Sequence, residues 1–320
     1  MPRKAYGGVS NLARNVTKIY GGVNNVARNI AKGYVGVNGV AQQFWPSGGW
    51  SQIGTSPIDG YGGCAVVFED KIHLFNGTDH FSFDGNTYMD EGTLPGNTAG
   101  GACAVVYAGH LHLINNYTGM LGHYDWDGRI WTQRGNPRDA IIYGMNNAVV
   151  YGENIVTVSS RFGSAGMFRY IYRCGGDEWT RLQLAMPDNL SANSHSCCVY
   201  NGNVEYISTE DNYTVHHLWD GTIVSDLEPM PYPFFNGMML VADGKIHFIG
   251  SQVYGAQYGG DYRRAHYTWD GTNYEELDEL PFNSYNCPAV LYHNKIYLFG
   301  CSETNCHNYV AVYEDASWTT

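Results

Sequence analysis

Between residues 64 and 299 the chain repeats one pattern six times: a short apolar run, a tight polar pair, and a second apolar run. The copies are CAVVFEDKIHLF from Cys64, CAVVYAGHLHLI from Cys103, NAVVYGENIVTV from Asn147, SCCVYNGNVEYI from Ser196, MMLVADGKIHFI from Met238 and PAVLYHNKIYLF from Pro288. Each run is four to six residues long and rich in β-branched and aromatic residues, so it predicts a strand and not a helix. A further hairpin follows, its turn built on Asp and Gly and its second strand opening on an aromatic: Tyr88, Trp131, Trp179 or Tyr274. Four strands recurring about every 45 residues mark a propeller blade. The expected fold is all-β, a six-bladed β-propeller over residues 48–320. Trp50-Ser51-Gln52-Ile53 reads as an outer strand with no hairpin before it, which predicts that it closes the ring against the C-terminal blade.

Residues 1–47 carry a different repeat, with a period of 14: YGGVSNLARNVTKI from Tyr6, YGGVNNVARNIAKG from Tyr20 and YVGVNGVAQQFW from Tyr34. Val9, Val23 and Val37 each precede two turn-forming residues and an apolar one; in the last copy these are Asn38, Gly39 and Val40. Asn-Gly between valines favours a type I′ hairpin, because both residues tolerate positive φ. The same apolar positions also follow heptad spacing, so a coiled coil stays open. Each interior glycine costs a helix about 1 kcal/mol relative to Ala, which favours a ladder of β-hairpins. Neither a lone hairpin nor a lone heptad strand is stable in water, so the segment is expected to anchor or oligomerise the chain.

These motifs carry two resemblances. The blades are similar to kelch repeats, with an aromatic opening the outer strand, although the kelch double glycine reads here as Asn76-Gly77, Ser159-Ser160 or Gly300-Cys301. The N-terminal Tyr-x-Gly-Val-Asn-Gly-Val-Ala wording resembles repeats in tail and other virion proteins of bacteriophages that infect Gram-positive bacteria. That second resemblance implies a fibre or spike, commonly trimeric, whose location is the virion after assembly in the host cytoplasm.

Charge divides the chain. The first acidic residue is Asp59, after six basic ones, leaving 12 basic against 30 acidic side chains for the rest. Such a body repels phosphates, so no nucleic-acid partner is expected. No apolar stretch is long enough for a membrane helix, and the start lacks the apolar core of a secretory signal, so neither membrane insertion nor export is expected. The eight cysteines include no C-x-x-C pair and read as reduced core residues. Cys301, Cys306 and His307 form the only tempting metal cluster; the expectation is no metal and no cofactor.

In a propeller the a–b and c–d turns share one face and the b–c and d–a connections share the other. Here the first set is minimal, while the second carries residues 115–122, 159–167, 208–214 and 250–264, read as long loops. Binding concentrates on loops held by rigid scaffolds. The candidate ligand-binding residues are therefore Tyr117, Arg161, Phe162, Tyr213, Tyr254, Tyr258, Tyr262, Arg263 and Arg264, with tyrosine supplying area at low rotamer cost. The candidate anchoring residues are Tyr6, Val9, Tyr20, Val23, Tyr34, Val37, Asn38, Gly39 and Val40. No turn fits the sialidase Asp box, and no nucleophile elbow, phosphate loop or H-E-x-x-H occurs, so no catalytic residue is expected. The reading is a virion protein whose repeats dock on other virion proteins and whose propeller binds a host-surface glycan or protein. A bacterial kelch-type interaction module and a carbohydrate-active enzyme are the alternatives.

Overall fold

The computed structural model describes residues 20–23, 26–29, 34–37 and 40–43, and, from 49 to 314, all but 99–101, 116–121, 136–146, 164–165, 176, 184–195, 211–212, 253, 256–259, 262 and 301–306. Among the described residues every regular element is a strand, and no helix is long and apolar enough to cross a membrane. The chain divides into two compact units, residues 1–48 with 315–320 and residues 49–314.

Residues 49–314 form six four-stranded antiparallel blades, lettered a to d from the axis outward. The a strands are Cys64–Phe68, Cys103–Tyr107, Val149–Tyr151, Cys197–Tyr200, Met238–Ala242 and Ala289–Tyr292. Each touches the next around the axis, and the last touches the first, so the ring closes. Tyr88, Trp131, Trp179 and Tyr274 open the d strands of blades 1, 2, 3 and 5, as the sequence pattern predicts. The d strand of blade 6 is Gly49–Thr55, paired antiparallel with Tyr309–Glu314. The ring is thus closed by joining its first strand to its last blade.

Two sets of side chains lock neighbouring blades. At the short-turn end, the tyrosine ending an a strand donates its hydroxyl hydrogen to a backbone carbonyl of the next blade. Tyr107 reaches Glu153 O at 2.8 Å, Tyr200 reaches Gly244 O at 2.9 Å and Tyr292 reaches Asp70 O at 2.9 Å.

The second set lies inside the blades. In blades 1, 2 and 5 a b-strand histidine shares a hydrogen bond with a c-strand histidine: His73 with His80 at 2.9 Å, His112 with His123 at 2.8 Å, His247 with His266 at 2.9 Å. Blade 4 replaces the first partner with Glu205, whose Oε2 lies 3.0 Å from His216 Nε2. The far side of each c-strand ring meets the aromatic that opens the next blade's d strand. Trp50 Nε1 donates to His266 Nδ1 at 3.0 Å, Trp179 Nε1 to His123 Nδ1 at 3.4 Å, and Tyr274 Oη lies 2.7 Å from His216 Nδ1. Trp131 meets His80 edge-on at 5.7 Å. Blades 3 and 6 place apolar residues at these positions, and the contact with the next d strand is then apolar too. Val156 and Ile171 of blade 3 pack with Val224, and Val310 of blade 6 packs with Tyr88. Burial drives the imidazoles of His73, His80, His123 and His266 well below their usual range, so they are neutral.

Two expectations change. Residues 159–163 and 166–167 are not loop: the b and c strands of blade 3 run on as Asn154–Gly163 and Gly166–Cys174. Likewise blade 4 extends as Asn203–Glu210 and Tyr213–Trp219, so most of 208–214 is strand. Val, Ser, Thr, Arg, Phe and Tyr alternate through these segments and contain no internal breaker, so the ladder continues to the turn.

In the N-terminal unit, Tyr20–Val23 pairs with Val26–Asn29 and Tyr34–Val37 with Val40–Gln43, both antiparallel. Val23 faces Val26 and Val37 faces Val40 across two residues, the spacing of a two-residue hairpin. Tyr6, Val9, Asn38 and Gly39 lie outside the described residues.

Candidate site at the mouth of the axial channel

The a strands enclose a channel of about 340 Å³ lined by Cys64, Cys198, Met239, Val67, Val149 and Leu291 among others. Its lining side chains are apolar but for Asn147. The six described cysteines are free and buried, and burial pushes the thiols of Cys197 and Cys287 up to about 12, so they are protonated and inert.

Around the long-connection mouth, three d–a connections are built alike. Each runs Pro, three residues, an aromatic, then a residue at positive φ: Pro57 to Tyr61 and Gly62 (φ 75°), Pro231 to Phe235 and Asn236 (φ 54°), Pro281 to Tyr285 and Asn286 (φ 55°). The turn residues are chained: Gly62 N donates to Asn286 O at 2.7 Å, and Asn286 N donates to Asn236 O at 2.6 Å. Gly60 is wedged so tightly that a Cβ there would sit 2.3 Å from Phe299 O. Asn76 Nδ2 donates to Asp59 O and to Tyr61 O at 2.7 and 3.1 Å. The residue before each aromatic is buried (Gly60, Phe234 and Ser284), whereas Tyr61, Phe235 and Tyr285 stay half-exposed.

The result is a rigid aromatic arc. Tyr61 stacks on His307 at 5.0 Å and meets Tyr285 edge-on at 5.8 Å. His307 Nδ1 lies 3.0 Å from Asp59 Oδ2, which holds the imidazole under the tyrosine. Partial burial and the neighbouring Tyr285 phenol raise the pKa of Tyr61, so it presents a neutral hydroxyl. Amides complete the rim, with Asn236 Nδ2 donating to Gln252 Oε1 at 2.6 Å.

One constellation elsewhere has the outline of a nucleophilic triad. Ser208 Oγ lies 2.6 Å from His217 Nε2, and His217 Nδ1 lies 2.7 Å from Asp226 Oδ1. Ser208 and His217 are 0% and 1% exposed, so no substrate reaches the hydroxyl; the row ties strands b, c and d of blade 4 together. Among the described residues no cluster of three His, Cys, Asp or Glu side chains could hold a metal. Cys301 and Cys306 are outside the described residues.

Of the residues expected to bind ligand, Tyr117, Tyr258 and Tyr262 lie outside the described residues. Arg161, Phe162, Tyr213 and Tyr254 are placed by backbone, opposite Phe168, Met167, Glu210 and Asp261. Arg263 grips Asp261 with two hydrogen bonds of 2.9 and 2.7 Å. Arg264 Nε donates to Leu280 O at 2.6 Å and its guanidinium lies 3.5 Å from Glu279. Sequence reasoning does not single out the arc, although a signal is present in the proline followed four residues later by an aromatic. That signal lies in connections that look like plain linkers until the ring brings them together.

No family model matches the chain, and no curated protein matches it by sequence. Among solved structures 280 chains match, so the architecture is shared too widely to designate a chemistry. One of them, described as "Structure of YjhT", has a TM-score of 0.63 and 10% sequence identity, covering 80% of this chain and 94% of that one. The chain is similar to that protein in fold, that of a six-bladed β-propeller.

Proposed function

We propose that this chain is a bacteriophage virion structural protein of fibre or spike type, whose propeller reads the host surface through its long-connection face. The N-terminal repeats hold it to other virion proteins, and self-association as a homotrimer orders them. The observation that carries the reading is the polarity of the propeller. Gly49 pairs with Glu314, so both ends of the ring's chain lie at the short-turn side, opposite the mouth that bears the aromatic arc. The chain therefore enters the ring at Gly49 on the side away from the arc. The wording of the 14-residue repeat supplies the virion half of the reading.

Antibodies raised against the full-length protein should decorate phage particles and block adsorption; particles that remain undecorated overturn the virion reading and favour a bacterial interaction module. Light scattering of the full-length protein should return three times the 35.6 kDa chain mass. A carbohydrate-active enzyme is the second reading, favoured by the His307–Asp59 pair beside the Tyr61 phenol, a group that could move a proton. Release of reducing ends from host wall polysaccharide would support it.

A further inference from the structure

We propose that the arc of Phe235, Tyr285 and Tyr61, with His307 and the Asn236 amide, is a subsite for one ring of a neutral saccharide. This rests on the reading of the long-connection face as the recognition face, and names what that face takes.

The first argument is selective exposure. These connections bury their other aromatics without difficulty: Tyr232 is 3% exposed, Phe234 0% and Phe282 9%. Among the aromatics, only the residue four after each proline is left partly exposed, in all three of these connections, on backbone fixed by the Gly62–Asn286–Asn236 chain. Half-exposed aromatics on a rigid frame add little to the core and keep their ring surface for a ligand.

The second argument is chemical. A pyranose offers apolar C–H faces bordered by hydroxyls. Aromatic rings match the faces, while phenol and amide groups exchange hydrogen bonds with the hydroxyls. Among its lining side chains the channel below the mouth offers hydroxyls only the polar Asn147, so the ring lies across the mouth and not down the axis.

Charge decides between saccharides. The part of the chain after residue 58 carries 12 basic and 30 acidic side chains. Of the three arginines expected on this face two are engaged, Arg263 by Asp261 and Arg264 by the Leu280 carbonyl and Glu279, while the third, Arg161, is placed by backbone. An anionic sugar would meet net repulsion with neither Arg263 nor Arg264 set aside for it, and Asp59 is occupied by His307. A neutral sugar meets neither penalty.

The test uses full-length protein and calorimetric titration with neutral tetrasaccharides of glucose, galactose, mannose and N-acetylglucosamine, against tetragalacturonate as the anionic probe. At least one neutral probe should bind, and Tyr61→Ala and Tyr285→Ala should each weaken it about tenfold, the equivalent of one well-made aromatic contact. Tyr61→Phe should keep most of the affinity, and Tm should stay put. Failure of all four neutral probes, tighter binding of tetragalacturonate, or alanine variants that bind as the parent does would each overturn the subsite. If an alanine variant melts early, saturation transfer from the parent's aromatic protons to the sugar ring protons decides, and no transfer overturns the proposal. Decorated phage particles with a sugar-silent propeller would sink the subsite alone; undecorated particles would sink the virion reading.

Discussion

At the residue scale the histidines show how a buried polar group is tolerated. Trp50 donates to His266 Nδ1, so the proton of His266 sits on Nε2 and is shared with His247 Nδ1. A second proton on His266 would face an N–H donor in a site that water does not reach. Neutral imidazoles of this kind make folding acid-sensitive with a definite sign. The unfolded chain takes up protons near pH 6.5 that the native state refuses until about pH 4, so stability is complete above 6.5 and falls as pH drops through that window. Each refused proton contributes about 1.4 kcal/mol per pH unit. Blade 1 is the place to test this, because among the described residues His80 Nδ1 has no hydrogen-bond partner. The double change His73→Val with His80→Ile copies the apolar solution of blade 3, where Val156 and Ile171 hold the same places. It should leave stability at pH 7 within about 1 kcal/mol, whereas either single change should cost about 1–3 kcal/mol by stranding a buried group. The gap between urea midpoints at pH 7 and pH 4.5 should narrow in the double variant, the histidines of blades 2 and 5 keeping the rest; an unchanged gap would rule the blade 1 imidazoles out as a source.

At the scale of the element, the connections and the strands were not equally legible. Every a–b pairing in blades 1 to 6 starts from the repeated pattern at Cys64, Cys103, Asn147, Ser196, Met238 and Pro288, because alternation with β-branched residues is a local property. The lengths of the blade 3 and blade 4 hairpins were not legible, since a polar alternating segment reads equally as loop or as projecting ladder. The connection before Cys64 depends on contact between blades. Gly60→Ala would bring a Cβ against the carbonyl of Phe299, a backbone atom that cannot swing aside. The expected cost is about 1–3 kcal/mol, read as a lower Tm. Tyr61 sits next door, so any saccharide affinity should fall with it. A variant that melts like the parent would show that the 59–63 connection yields freely, contrary to its hydrogen bonds to Asn76, His307 and Asn286.

For the whole molecule the decisive strand is the first. Gly49–Thr55 completes blade 6 and carries Trp50, which packs on Tyr313 at 5.4 Å as well as bonding His266. A chain beginning at Gly49 should melt within a few degrees of the full-length protein. One beginning at Ser56 should lose several kcal/mol, expose the edge of Tyr309–Glu314 and aggregate on warming. Differential scanning calorimetry separates the two, and equal melting would mean that the ring does not depend on its joined seam. Several features follow from residues adjacent in the sequence: the six strand pairs, the aromatic opening of the d strands of blades 1, 2, 3 and 5, the unpaired Trp50 segment that closes the ring, and the contrast between a basic head and an acidic body. Their signals lie within one hairpin or in simple charge counts, so they survive without knowledge of the fold. The relay from one blade's histidines to the next blade's tryptophan, and the gathering of Tyr61, Phe235, Tyr285 and His307 at one mouth, were decided only in three dimensions. Tyr61 and Tyr285 stand more than 200 residues apart, and each alone is an ordinary loop aromatic. Only when the circular array is closed do separate connections become neighbours, and with that contact they acquire a chemistry.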